Sequence, residues 1–371
     1  MIKVLLIIGT RPEAIKMAPV AWALRAQSAT FETVVAYTGQ HRELLDQLTD
    51  ILELHPDEDL KVMSQNQSLA TLTGRLLGGI DSLLEKYVPD VVLAQGDTTT
   101  VTATSLACFY QRIPFEHVEA GLRTGDLRCP FPEEGNRRLS GVLAHHHYAP
   151  TAQAQSNLLA EGVSPERIEV TGNTVVDALQ RMLDVPAELP FERPSGPWAL
   201  VTLHRRESVG PPLRQVLSAL RNVLRKYPAA SIVCPAHPNP NIRQLVETEL
   251  EMYPNAILIE PMRYDQFVTA MSLATVILTD SGGIQEEVPS VCTPLLIARE
   301  KTERPEVLRD GVAELVGYDA AIIQQRLMEF FSRPEARADA SQTGNPYGDG
   351  RAARRIVDSL YRRYATKLFH S

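Results

Sequence analysis

Short apolar runs, mostly β-branched, alternate with longer amphipathic stretches along this chain, and that alternation restricts its fold more than any other feature. Residues 4–8, 33–37, 91–94, 115–118 and 168–171 read as strands, with helical patterns over 68–87 and 100–112. Near-continuous apolar runs of this length suit strands buried on both faces, as in a parallel sheet covered by helices. From residue 185 to 197 the period disappears and four prolines occur (Pro186, Pro190, Pro194, Pro197), which makes the segment a linker. The alternation then restarts. Residues 198–202, 231–234, 256–259, 276–279 and 294–297 read as strands, and 211–226, 239–253 and 264–274 as helices. The expected fold class is α/β, with two Rossmann-like, doubly wound domains over residues 1–175 and 198–351. Ligands in such sheets bind at the carboxyl ends of the strands, and the cleft between two domains is the expected site.

Composition narrows the function. A length of 371 residues suits two domains, and 44% hydrophobic with 22% charged residues is ordinary for a soluble protein. Cys108, Cys129, Cys234 and Cys292 are scattered, with no C-x-x-C pair, which argues against a disulfide framework or zinc ribbon and fits a reducing cytoplasm. The run at 4–8 is too short for a signal peptide or a membrane span. A net charge of −8 disfavours a broad nucleic-acid surface but permits a local cationic pocket. The last stretch, 351–367, is basic and amphipathic. Ile356, Leu360 and Tyr364 form one stripe, so it reads as a terminal helix docked on the body rather than a membrane binder.

Five segments carry chemistry. Gly9-Thr10-Arg11-Pro12-Glu13-Ala14-Ile15-Lys16 follows the first strand. Gly9 permits a tight turn and Pro12 suits a first helical position, leaving Arg11 and Lys16 near a helix N-terminus. An anion site and a plain solvated helix start fit this spacing equally. Pro19 is expected to kink or end that helix. Gln95-Gly96-Asp97-Thr98-Thr99-Thr100 puts Asp97 on a strand-to-helix turn. It reads either as an N-cap or, if the threonines cap, as an acid available for other work. In His117-Val118-Glu119, strand alternation puts His117 and Glu119 on one face, with a shaped loop following. Pro132-Glu133-Glu134 marks a helix start, where the dipole favours a carboxylate. Asp97, Glu119 and Glu133 are more acids than capping needs, and carboxylates sharing a site can divide acid and base duties.

In the second half, His204-Arg205-Arg206 ends the first strand and suits a phosphate oxygen or a developing charge. Asp280-Ser281-Gly282-Gly283 then opens a helix and offers backbone N–H groups to a phosphate, with Glu287 about one turn on to clasp ribose hydroxyls. Arg304 adds a cation. Gly348-Asp349-Gly350 follows no strand and is no dinucleotide fingerprint, and the adjacent His145-His146-His147 cannot chelate like an i, i+4 pair. No metal site and no cofactor are expected.

G-T-R-P-E-A-I-K-M-A-P, Q-H-R-E-L-L-D-Q, G-D-T-T-T, H-V-E-A-G-L-R-T-G-D, F-P-E-E-x-N-R, T-G-N-T-V-x-D, H-R-R-E-S, T-D-S-G-G-I-Q-E-E, T-E-R-P-E and N-P-Y-G-D-G occur in this order. Together they resemble the non-hydrolysing UDP-N-acetylglucosamine 2-epimerases of bacteria, from the first strand to the terminal helix. The resemblance implies a glycosyltransferase-B-like fold, a homodimer, UDP in the interdomain cleft, and a terminal helix (352–371) that returns to the first domain. It also implies that Arg11, Lys16, His204, Phe267, Ser281, Gly282, Gly283, Glu287 and Arg304 contact the UDP part, with His204 among the catalytic groups. Asp97, Glu119 and Glu133 would be the catalytic acids. The family binds a second substrate molecule as an activator, and Gln40, His41, Gln67, Glu134, Arg206 and His237 match parts of that site. Asn66 stands where some members carry arginine, Leu203 where Gly or Thr is expected, and Cys292 where Gly is usual.

The chemistry expected is reversible inversion at C2 between UDP-N-acetylglucosamine and UDP-N-acetylmannosamine. The C2–H bond is not flanked by a carbonyl, so UDP must leave first. C1 then becomes oxocarbenium-like, and a carboxylate completes elimination to 2-acetamidoglucal. Protonation of the other face and return of UDP finish the reaction, with a phosphate clamp stabilising and retaining the leaving group. Rival readings are a hydrolysing epimerase, a UDP-sugar glycosyltransferase and a non-catalytic UDP-sugar sensor. The substrate and UDP are the expected partners, with no nucleic acid and no membrane.

Overall fold

The computed structural model describes residues 1–39, 48–64, 67–203, 210–236, 239–302, 304–308, 313–333 and 344–366. They fall into two compact units, Met1–Ala178 with the chain from Tyr347 onward, and Leu179–Pro346. Residues 185–197 contain neither helix nor strand.

The first unit is built on β1 (Ile2–Ile8), β2 (Phe31–Tyr37), β3 (Glu58–Asp59), β4 (Val91–Gln95), β5 (Phe115–Val118), β6 (His146–Ala149) and β7 (Ile168–Val170), in the spatial order β3-β2-β1-β4-β5-β6-β7. Every pairing is parallel, with Val4 opposite Val91 and Gln95 opposite Val118. The helices are α1 (Arg11–Arg25), α2 (Leu69–Tyr87), α3 (Thr99–Gln111), α4 (Glu133–Leu143), α5 (Ala152–Ala160) and α6 (Thr174–Asp184), the last crossing the boundary between units. β1 and β4 are buried almost throughout, which is why they read as unbroken apolar runs.

The second unit carries β8 (Trp198–Thr202), β9 (Ser231–Pro235), β10 (Ala256–Ile259), β11 (Val276–Thr279), β12 (Leu295–Ile297) and β13 (Ala313–Leu315), ordered β10-β9-β8-β11-β12-β13 and all parallel. Its helices are α7 (Pro211–Lys226), α8 (Pro240–Leu250), α9 (Tyr264–Leu273), α10 (Gly282–Val291) and α11 (Ala320–Ser332). Both sheets share one winding, in which the strand order reverses beside the first strand. The fold is therefore two Rossmann-like units in tandem, of the glycosyltransferase-B-like class. Their switch points lie between β1 and β4 and between β8 and β11, where doubly wound sheets bind ligands.

The terminal helix α12 (Ala352–Tyr364) belongs to the first unit and packs on α1. Asp177 accepts hydrogen bonds from the Ala352 and Ala353 amides at its start. Ile356, Val357 and Leu360 are fully buried, at about 1.5–3 kcal/mol each. At its far end Glu116, 0% exposed, accepts from the Tyr148 hydroxyl (2.7 Å), the Tyr364 hydroxyl (2.9 Å) and Arg363 (2.5 Å). No described helix is long and apolar enough to cross a membrane.

Of the two outcomes expected at Pro19, a kink or a stop, the stop does not occur, and one expectation about Glu119 fails. Pro19 does not end α1, which runs on to Arg25. The helix loses one backbone hydrogen bond there, but Met17, Ala18, Val20, Ala21 and Leu24 are all fully buried and hold the last turns in place. Glu119 is not a strand residue either. β5 ends at Val118, and Glu119 has φ 63, so the pleat does not set its direction or share a face between it and His117.

Candidate active site

At the switch point of the first sheet, the turn after β1 and the first turn of α3 come so close that a side chain at Gly9 does not fit. A Cβ on Gly9 would lie 2.3 Å from the Thr100 hydroxyl. Glu13 folds back so that one carboxylate oxygen accepts from the Gly9 amide (2.5 Å) and the Thr10 amide (3.2 Å), the capping-box arrangement of a T-x-x-E start. Glu13 is 2% exposed, and burial raises its carboxyl from 4.5 to about 7, against the opposing influence of the Thr98 hydroxyl and the two amides. Lys16, also buried, is ion-paired with Glu119. Arg11, half-buried, starts α1.

Asp97 and Glu119 stand at the ends of the neighbouring strands β4 and β5. Thr98, not Asp97, occupies the N-cap position of α3. Asp97 instead faces α4. Its carboxylate accepts from Arg137 Nε (2.9 Å) and a second guanidinium nitrogen (2.6 Å), and Asn136 donates to its backbone carbonyl at 2.9 Å. Glu133, half-buried, lies in the first turn of α4, four residues before Arg137 and so on the same face. The helix that carries the third acid is thus fastened to the turn that carries the first. The peptide bonds before Pro130 and Pro132 are cis in the loop leading to it. His117, fully buried, meets the Gly96 carbonyl through Nε2 at 2.7 Å, and burial pushes its pKa down to about 4, so the ring is neutral. Glu134 is 0% exposed and accepts from the Thr124 and Gly125 amides (3.1 and 3.3 Å) and from Arg137 (3.1 Å). Burial raises its pKa, but those donors outweigh it and the net shift is downward. Gln67 interacts with Met63, Ser64 and Arg75 at the start of α2.

At the switch point of the second sheet, Ser281 occupies the N-cap position of α10 without a capping bond from its side chain, and its amide donates to the Thr279 hydroxyl at 3.0 Å. Gly283 is exposed, and a Cβ there would meet nothing within 4 Å. The protein's own packing therefore does not demand glycine at 283. Glu287 is buried and accepts from the Tyr264 hydroxyl at 3.3 Å, with Phe267 half-buried on the same helix as Tyr264. Arg304 is not simply an added cation, because its Nε donates to buried Glu286 at 2.6 Å. His204, Arg206, Gln40, His41 and His237 lie outside the described residues, as does Asn66.

His146 and His147 form part of β6, with pKa values pushed down to about 3, first by burial. Among the described residues no group of three His, Cys, Asp or Glu side chains is arranged to hold a metal ion. Sequence reasoning assigned no role to Glu13, Arg137 or Asn173. The T-x-x-E pattern and the i, i+3 spacing from Glu134 to Arg137 were the available signals for the first two. Nothing local marks Asn173, whose partner Glu119 is 54 positions away.

Residues 23–361 match the family described as UDP-N-acetylglucosamine 2-epimerase. The chain is 47% identical over 369 residues to the UDP-N-acetylglucosamine 2-epimerase of Escherichia coli K12, covering 96% of this chain and 98% of that one. The crystal structure of the Neisseria meningitidis UDP-GlcNAc 2-epimerase bound to UDP-GlcNAc superposes with a TM-score of 0.91 at 43% identity, covering 97% of this chain and all of that one. The Methanocaldococcus jannaschii enzyme, solved with UDP-GlcNAc and UDP, gives 0.83 at 32% identity over 97% and 100% of the two chains. With this match across nearly its whole length, on two sheets wound alike, the chain belongs to the UDP-N-acetylglucosamine 2-epimerase family.

Proposed function

We propose that this protein interconverts UDP-N-acetylglucosamine and UDP-N-acetylmannosamine without net hydrolysis, by eliminating UDP to give 2-acetamidoglucal and adding it back. The observation that carries the reading is the cluster at the first switch point. Asp97 and Glu119 follow adjacent strands, and Glu133 opens α4, the helix that Arg137 fastens to Asp97. Each acid has its own surroundings: Asp97 against a guanidinium, Glu119 against an ammonium, and Glu133 at a helix N-terminus. More than one carboxylate supplies a proton carrier for each face of C2.

The UDP is bound by the second unit, where the Ser281-Gly282-Gly283 start of α10 offers backbone N–H groups and Gly283 sets no side chain in the way of a phosphate. Stabilising the departing diphosphate lowers the barrier to C1–O cleavage, and retaining it favours readdition over attack by water. His204 and Arg304 of the same unit are the further groups that the resemblance implies for the clamp, with Glu287 for the ribose. The protein acts as a homodimer. The exposed Phe109, Tyr110, Leu139 and Val142 on the packed helices α3 and α4 are its contact surface, to be checked by sedimentation of a Val142→Glu variant.

The test is hydrogen exchange at C2 in deuterated water by Asp97→Asn, Glu119→Gln and Glu133→Gln. Each is expected to exchange far more slowly than the parent. Parent-rate exchange by all three removes the assignment.

A further inference from the structure

Asn173 and the two glycine-bearing motifs around it have no part in the chemistry described so far, yet they converge on Glu119. Because Glu119 is past the end of β5 in left-handed backbone, the sheet does not orient its side chain. Orientation has to come from donors elsewhere. Lys16 on α1 supplies one, and Asn173 Nδ2, 3.1 Å from Glu119 Oε2, supplies another.

Asn173 is itself held at both ends. Its backbone N–H donates to the Tyr347 carbonyl at 2.6 Å, and its side-chain oxygen accepts from the Val175 amide at 3.1 Å. Since Oδ1 takes the Val175 amide, the NH2 group must be what faces the carboxylate. The segment bearing Tyr347 can come this close because two glycines meet. A Cβ on Gly172 (φ +88) would lie 3.3 Å from the Gly348 Cα, and Gly348 itself has φ +146. A helix cap alone does not explain the residue. Aspartate would accept the Val175 amide equally well and would suit the helix dipole better, but it has no proton to offer Glu119.

We infer that Asn173, locked by Tyr347 and the Gly172–Gly348 contact, is a positioning residue that pins Glu119 for proton transfer at C2. The inference rests on the reading of Glu119 as a catalytic acid. In this view T-G-N and N-P-Y-G are the two halves of one brace, and the chain returns to the first unit at Tyr347 partly to complete it.

The test uses the full-length protein with Asn173→Asp and Asn173→Ser, both of which keep an acceptor for the Val175 amide. In each, kcat for C2 exchange should fall by about 10- to 100-fold, the scale of a small misplacement of a reacting group, with KM close to the parent's. Asn173→Asp puts a second carboxylate against Glu119, so the acidic limb of its pH–rate profile should move up by about one unit, whereas that of Asn173→Ser should not follow. Should Asn173→Asp fail to fold, kcat of Asn173→Ser decides. Parent-like kcat and pH profile in these variants, alongside a Glu119→Gln variant that has lost exchange, overturn the positioning role alone. Parent-rate exchange by Glu119→Gln instead overturns the catalytic reading on which it rests.

Discussion

Replacing Glu13 with glutamine should make the protein more stable at neutral pH and leave it nearly unchanged in acid. Glu13 is 2% exposed, and burial is the first cause of a carboxyl pKa raised from 4.5 to about 7. Between those values the folded protein keeps a proton that the unfolded chain releases. The stability contributed by that proton is fully present below about pH 4.5 and is lost as pH rises through about 7. A gap of about 2.5 pH units, at about 1.4 kcal/mol each, amounts to roughly 3 kcal/mol. Glutamine still accepts from the Gly9 and Thr10 amides, as the capping box allows, and has no charge to bury. The gap between Glu13→Gln and parent should therefore widen by roughly 3 kcal/mol in the variant's favour from pH 4.5 to 8. Urea unfolding at several pH values measures it. Trp22 emission in a Trp198→Phe background serves as reporter, because Trp22 is on the same helix as Glu13. A difference that is flat across this range would refute the reasoning, because it would mean that Glu13 holds no extra proton in the folded state.

Two further perturbations test the packing. Arg363→Met should cost about 2–4 kcal/mol in urea unfolding, since it strips the cation from fully buried Glu116; the range is trimmed because the Arg363 side chain is 24% exposed. Adding Glu116→Gln should recover part of that loss. Cys292 ends α10 with φ 53, the left-handed C-cap that glycine adopts without strain. Cys292→Gly should accordingly raise thermal stability by about 0.5–1 kcal/mol, and a lower Tm would contradict it.

The two sheets were legible because parallel strands buried on both faces leave runs such as Val4 to Ile8 that nothing else explains, and the segments following β1, β4, β5 and β11 marked both switch points. What stayed hidden follows from long-range packing. β6 escaped notice because its two histidines look polar, yet in the sheet they are buried and neutral. Pro19 read as a kink or a stop because a proline removes a helical hydrogen bond locally, whereas the burial of Met17, Ala18, Val20, Ala21 and Leu24 that carries α1 past it depends on the packing around the helix. For the site, the types of acid and cation were visible but their pairings were not. Lys16 with Glu119, Arg137 with Asp97 and Arg304 with Glu286 join residues 103, 40 and 18 positions apart. Glu134 and Glu133 are adjacent in sequence, yet one is fully buried under backbone amides and the other is half-exposed, a distinction made only by the fold of the loop before α4.

The most direct measurement is proton NMR of UDP-N-acetylglucosamine incubated with the purified protein in deuterated water. Elimination and readdition predict that UDP-N-acetylmannosamine appears, that deuterium enters C2 of both epimers, and that UDP stays attached at equilibrium. Free N-acetylmannosamine accumulating in step with UDP, or epimers that form with C2 still protonated, would contradict it.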